Sequence, residues 1–191
     1  KLLICPILLV VPILAKAQAQ NLTNGDLKLE GIVAFTEGPA WHPSGNVYFT
    51  DIANNRIMRR DPQGTMHVFR TPSGRANGLL FDQSGRLMAC EGGGEGGNRR
   101  VTRTEEDGTI TVLAERYQGK RLNSPNDLAV DSKGRIYFSD PRYLGDEPVD
   151  QPVMAVYRLD PDGTVARIIT DAGKPNGVAI SPDQKTFYLV S

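Results

Sequence analysis

Asn126-Asp-Leu-Ala-Val-Asp131, a Ser-Lys-Gly turn and Arg135-Ile-Tyr-Phe-Ser-Asp140 are followed by a longer loop, Ala155-Val-Tyr-Arg-Leu-Asp160, the turn Pro161-Asp-Gly163 and Thr164-Val-Ala-Arg-Ile-Ile-Thr170. Branched and aromatic residues suit a pleated, half-buried surface, and Gly, Asp and Pro supply the turns between such runs. Residues 126–170 therefore read as one unit of four antiparallel strands. An earlier stretch repeats the pattern with Asn46-Val-Tyr-Phe-Thr50, Arg56-Ile-Met-Arg-Arg60, the turn Asp61-Pro-Gln-Gly64 and Met66-His-Val-Phe-Arg70. After residue 20 no segment keeps the 3.6-residue apolar period of a helix over three turns. The sequence predicts an all-β fold.

Four copies of a longer motif can be set in register. The first is Glu37-Gly-Pro-Ala-Trp-His-Pro-Ser-Gly-Asn-Val-Tyr-Phe-Thr-Asp51, and the second is Asn77-Gly-Leu-Leu-Phe-Asp-Gln-Ser-Gly-Arg-Leu-Met-Ala-Cys-Glu91. The third runs from Asn126 to Asp140, and the fourth is Asn176-Gly-Val-Ala-Ile-Ser-Pro-Asp-Gln-Lys-Thr-Phe-Tyr-Leu-Val190. The copies begin 40, 49 and 50 residues apart. Periods of this size with several short strands each are the signature of propeller blades. In a ring of blades, equivalent positions lie at one height and one radius around a common axis. Glu37, Asn77, Asn126 and Asn176 are thus expected to converge on the channel. Carboxylate and amide oxygens converging on one point are what a hard cation requires.

A closed six-bladed ring needs on the order of 270 residues at this blade size. The chain is accordingly expected to cover roughly the first three blades and part of the next, as a piece of a longer protein. Residues 31–191 form the incomplete propeller, and residues 20–30 form a linker or entry strand. Three blades and a stub leave an open edge, which predicts that the isolated chain is unstable or aggregates.

Residues 1–19 have the parts of a secretory signal. Lys1 precedes the apolar run Leu2–Ala15, and Ala15-Lys-Ala17 or Ala17-Gln-Ala19 supplies a small-x-small cleavage site. The run is shorter than the ~20 apolar residues that span a bilayer, and it holds two prolines, so a stable membrane anchor is not expected. The mature chain is expected to start near Gln18 or Gln20 and to be periplasmic or secreted. Of 22 basic and 22 acidic residues, Lys1 and Lys16 leave with the signal, and no basic stripe remains to bind nucleic acid. Cys90 is then the one cysteine left in the mature chain, and its apolar setting in Leu87-Met-Ala-Cys90 predicts a buried thiol.

Glu37-Gly-Pro-Ala-Trp41, Asn123-Ser-Pro-Asn-Asp127 with Phe138-Ser-Asp-Pro141, and Lys174-Pro-Asn-Gly-Val-Ala179 resemble the gluconolactonase/regucalcin (senescence marker protein)/luciferin-regenerating enzyme family. The resemblance runs in register from about residue 30 to Ser191. It implies a six-bladed β-propeller with one divalent cation in the channel, usually Ca²⁺ (Zn²⁺, Mn²⁺ and Mg²⁺ being the other options), and hydrolysis of sugar lactones or similar esters. In that family a Glu of the first blade, Asn residues of later blades and an Asp of a further blade hold the ion. Glu37 matches the Glu and Asn176 matches one Asn ligand, while Asn126 matches an Asn that ligates the ion or binds substrate beside it. The Asp, which is also the expected general base, falls beyond Ser191. The regucalcin branch carries an Arg two residues before the Asn matched by Asn126. Ser124 stands there, and the substrate contact is placed on Arg121, with Asn77 as a further substrate contact or a structural channel amide.

Other motifs exclude other chemistry. Glu91-Gly-Gly-Gly-Glu-Gly-Gly97 is followed by neither Lys-Ser/Thr nor a helix, so it is no phosphate loop; it reads as a mobile loop on the channel rim, its acids bordering the entrance. His42 and His67 have no His or Cys partner at zinc spacing. No Gly-x-Ser-x-Gly elbow occurs. Asp127 is expected to order backbone around the inner strand. The reading is a metal-dependent hydrolase of small lactones or esters, with no protein partner evident. The rivals are a propeller phosphoester or fluorophosphate hydrolase and a non-catalytic binding propeller.

Overall fold

A computed structural model describes residues 3–5, 29 and 31–191. The described residues contain strands and no helix. Three consecutive four-stranded antiparallel sheets follow one another, each a simple meander. The first holds β2 (Thr36–Trp41), β3 (Val47–Asp51), β4 (Arg56–Arg60) and β5 (Met66–Arg70). The second holds β6 (Ala76–Phe81), β7 (Leu87–Glu91), β8 (Arg100–Thr104) and β9 (Ile110–Ala114). A small hairpin, β10 (Arg116–Tyr117) with β11 (Lys120–Arg121), leads to the third sheet. That sheet holds β12 (Leu128–Val130), β13 (Ile136–Asp140), β14 (Ala155–Leu159) and β15 (Val165–Ile169). A fourth begins with β16 (Val178–Ile180) and β17 (Phe187–Val190).

The same chemistry closes one hairpin after another. Asp61 to Gly64, Asp82 to Gly85, Asp131 to Gly134 and Asp160 to Gly163 each make a turn in which the Gly amide donates to the Asp carbonyl at 2.9–3.0 Å. Each of these glycines has a positive φ, a conformation that a Cβ disfavours. The period seen in the sequence is therefore a period of turns as well as of strands.

Strand faces alternate, and neighbouring sheets bury them against each other. Ala40, Tyr48, Ile57, Leu79 and Leu87 join the first sheet to the second. Met88, Val101, Leu128, Phe138 and Tyr157 join the second to the third, with the Phe138 and Tyr157 rings stacked at 5.5 Å. Val156, Val178 and Leu189 seal the third against the fourth. Cys90 sits inside the second of these clusters and is fully buried, and burial pushes its thiol pKa well up.

Inner strands β2, β6, β12 and β16 pack in succession, and the contact is close. A Cβ built on Gly78 would lie 2.7 Å from the Asn126 carbonyl oxygen, while the Gly78 amide donates to that oxygen at 2.7 Å. On Gly38 a Cβ would meet the Asn77 carbonyl at 2.1 Å. The third copy of the motif carries Asp127 at this position, and its Oδ2 accepts from the Val178 amide of the next inner strand at 2.8 Å. Hydroxyls add to the stitching: Thr50 Oγ1 donates to the Asn77 carbonyl at 3.0 Å, and Ser139 Oγ donates to that of Asn176.

Leu3–Cys5 forms β1, parallel to β17. This differs from the expectation that the first 20 residues stand outside the fold. Strand β17 thus lies between β16 and β1, with a partner along each side. The rest of the signal reading, with its cleavage sites at Ala15 to Ala19, and most of the linker over residues 20–30 lie outside the described residues.

Candidate functional site

Glu37, Asn77, Asn126 and Asn176 line one cleft of about 430 Å³ at the inner-strand ends. The local reason is register. Glu37 and Asn77 lie on β2 and β6 beside bulges that follow Glu37 and Ala76, while Asn126 and Asn176 stand two residues ahead of β12 and β16. Backbone bonds fix the later two, with the Asn126 amide donating to the Ser139 carbonyl at 2.9 Å and the Asn176 amide to the Val190 carbonyl at 2.7 Å.

Glu37 is accessible from the open cleft, yet neighbouring atoms desolvate its carboxylate enough to raise its pKa, and the charge of Asp127 raises it further. Asp127 lies beneath, and burial raises its pKa too, against the opposing pull of the Val178 and Leu128 amides. The Asn126 side chain, buried at the cleft wall, has no side-chain hydrogen bond to any described residue. Asn176 Nδ2 donates to the Tyr143 hydroxyl at 3.3 Å, and that hydroxyl donates to the Lys174 carbonyl at 2.9 Å. Phe35, Ile52 and Leu144 make an apolar wall on the same cleft.

Strand-end acids hold the loops that enter the inner strands. Asp51, wholly buried, accepts from the Phe35 amide at 3.2 Å and pairs with Arg56 at 2.9 Å. Asp140, equally buried, accepts from the amides of Asn123 at 2.8 Å and Ser124 at 2.7 Å. Phe35 and Ser124 each stand two residues before a register residue, so the two acids do the same work in their blades. Burial pushes the Asp140 carboxyl up to about 7 despite those amides and the Arg99 and Arg142 charges. Glu91 ends β7 in the same place, and its longer side chain instead gathers Arg70 at 2.9 Å, Arg100 at 2.7 Å, Asn98 and Thr102.

Two sequence expectations change. Arg121 does not line the cleft, because the β10–β11 hairpin directs its guanidinium to the Asn98 carbonyl at 2.7 Å. Arg75, two residues before Asn77, is the arginine that lines it. Glu91 does not border the entrance, since it is 1% exposed and bound to two arginines. The glycine run after it is pinned as well: Gly93 N donates to Ser124 Oγ at 2.8 Å and Gly94 N to Glu147 Oε1 at 2.7 Å. His42 and His67 bond to Ser44 and Asp61, away from the cleft. Among the described residues no three His, Cys, Asp or Glu side chains gather as a metal cluster. The cleft offers one carboxylate and three amides.

Residues 35–191 match the family model described as the SMP-30/gluconolactonase/LRE-like region. The chain belongs to that SMP-30/gluconolactonase/LRE-like family. It is 31% identical over 177 residues to a gluconolactonase of Zymomonas mobilis, covering 82% of this chain and 49% of the relative. It is 32% identical over 158 residues to a pentonolactonase of Haloferax volcanii, covering 80% and 48%. A solved gluconolactonase structure from Xanthomonas campestris superposes with a TM-score of 0.76 at 36% identity, covering 82% of this chain and 54% of that one. The chain spans about half the length of the curated relatives it matches. The sheets described above are thus propeller blades of an SMP-30/gluconolactonase-like protein, and the cleft lies where their inner strands converge.

Proposed function

We propose that the protein built on these blades hydrolyses sugar lactones, using one divalent cation held by Glu37, Asn126 and Asn176. The observation that carries this reading is the convergence of four register residues, from four successive repeats, on one cleft. The names of the relatives, gluconolactonase and pentonolactonase, support sugar lactones as the substrate class.

The donors fit a hard cation. They are oxygens, one of them charged, and the amide of buried Asn126 lacks a side-chain partner among the described residues. Glu37 carries a carboxylate whose pKa is raised by burial and by a second negative charge, the setting in which a cation brings most relief. An all-oxygen set with a single carboxylate suits Ca²⁺, with water and a further carboxylate completing its six to eight ligands. When bound, the cation polarises the lactone carbonyl and stabilises the oxyanion that forms.

The chain's own residues bind and orient. The Asn77 amide and the Arg75 guanidinium offer donors to polar substituents of the sugar. Phe35, Ile52 and Leu144 shield one side of the cleft from water. Hydrolysis adds hydroxide to the acyl carbon and a proton to the ring oxygen, giving the open hydroxy acid. Glu37 is the one carboxylate lining the cleft among the described residues. With Glu37 committed to the cation, the proton acceptor is assigned to an Asp of a further blade.

Glu37→Gln in the full-length protein tests this. The variant is expected to lose calcium binding by calorimetric titration and by elemental analysis, and its pH-stat rate on gluconolactone is expected to fall by about two orders of magnitude. A variant that binds calcium as tightly as the parent and turns over at the parent rate overturns the reading. A metal-stripped parent that keeps its affinity for lactone would favour a binding propeller instead.

A further inference from the structure

We propose that Arg75, Asn77 and Ser124 form a subsite for an anionic oxygen group, so that the preferred substrates are lactones bearing a carboxylate or a phosphate. This deepens the lactonase reading and rests on it.

Several arginines elsewhere in the blades are matched to carboxylates. Arg56 pairs with Asp51, Arg70 and Arg100 with Glu91, Arg135 with Asp131, and Arg142 with Glu147. Arg75 makes no side-chain hydrogen bond or ion pair with any described residue, although it lines the cleft. A guanidinium keeps its charge at any physiological pH. Held half-buried without a counter-charge, it favours an anion over a neutral polyol, which leaves that charge uncompensated.

The surroundings hold Arg75 in place. Its φ is +54°, uncommon for a residue with a Cβ. Asn55 Oδ1 accepts its amide at 2.7 Å, and the Gly92 amide donates to its carbonyl at 3.1 Å. Its side chain runs past Gly94, where an added Cβ would lie 3.7 Å from Nε. The glycine run leaves this corner open to the guanidinium.

Two further donors face the same space. Ser124 Oγ accepts from Gly93 N at 2.8 Å, which leaves its own proton to give. The Asn77 side chain has no protein partner among the described residues. Arg75 and Glu37 line the same cleft yet form no ion pair with each other, so the guanidinium is not spent on Glu37.

The test compares kcat/KM of the full-length enzyme on neutral gluconolactone, on a glucaric acid lactone with its free carboxylate, and on 6-phosphogluconolactone. At least one anionic lactone is expected to exceed the neutral one about tenfold, mainly through KM, the scale of one charge-assisted contact. The better of the two names the group. In Arg75→Gln the ratio of anionic to neutral is expected to collapse towards one, and Arg75→Lys is expected to restore part of it. A parent that treats all three alike, or a preference that survives in Arg75→Gln, overturns the proposal. If no lactone is turned over, the lactonase reading fails by itself, and calorimetric titration with glucarate still decides the subsite. Binding by the parent that Arg75→Gln abolishes sustains it, and no binding by the parent sinks it.

Discussion

The Tyr143 hydroxyl has one proton, and the Lys174 carbonyl, which can only accept, takes it at 2.9 Å. Toward Asn176 the same oxygen must therefore accept, which fixes the amide with Nδ2 on the tyrosine and Oδ1 free for a cation. Tyr143→Phe is expected to weaken calcium binding about three- to tenfold in calorimetry, the worth of one ordinary hydrogen bond. In an Asn176→Asp background the same change should matter little, because a carboxylate presents oxygen either way round. An equal loss in both backgrounds would make Tyr143 merely structural. The register residues themselves were legible in the sequence, because one side-chain position recurs in each repeat. Arg75 was not: it also stands two residues ahead of a register residue, but the position holds Phe35, Ser124 and Lys174 in the other copies. Without a common residue type the column carried no signal. Arg121 drew attention only as an arginine near Asn126 in the chain, and chain proximity says nothing about where a hairpin aims a side chain. The acids Asp51 and Asp140 closed the quoted motifs in plain view, yet their role depends on backbone amides from another segment.

At the scale of strands, the position after each register residue decides how closely two blades can approach. Gly78 sits where a methyl group would lie 2.6 Å from Asp127 Oδ1 and 2.7 Å from the Asn126 carbonyl, and neither backbone nor a pinned carboxylate can yield cheaply. Gly78→Ala is expected to cost about 1–3 kcal/mol, in the range of overpacked cores, read from denaturant midpoints of the full-length protein. Since the displaced carbonyl belongs to Asn126, calcium affinity should fall with it. Unchanged stability would mean that the inner strands slide past each other more freely than their bonds indicate. The strands were legible because branched and aromatic runs alternate with Asp-x-x-Gly turns. The β10–β11 hairpin was not, being two residues a side, with its turn made by Gln118 and Gly119, both at positive φ. A strand pair that short leaves no alternation to count.

Across the whole molecule, each blade buries one face on its predecessor and offers the other to its successor. The first and last therefore have faces and edges to spare: Trp41 is 65% exposed and Tyr188 45% exposed. Residues 31–191 made alone are expected to self-associate on size-exclusion chromatography and to unfold at low urea over a broad range. A monomer with a sharp, reversible transition would contradict this. Blade number and order followed from repeat spacing alone, whereas the depth and lining of the cleft depended on loops whose lengths differ between copies. Those loops lead back to the strand-end acids. Asp51 and Asp140 clamp the entry to their own blades, through amides two or three residues ahead of the register residue. The first and third repeats thus each carry a latch of their own. A loop between two such latches can therefore change in length or sequence while the strands on either side stay seated, which separates tolerance at the rim from constraint in the frame.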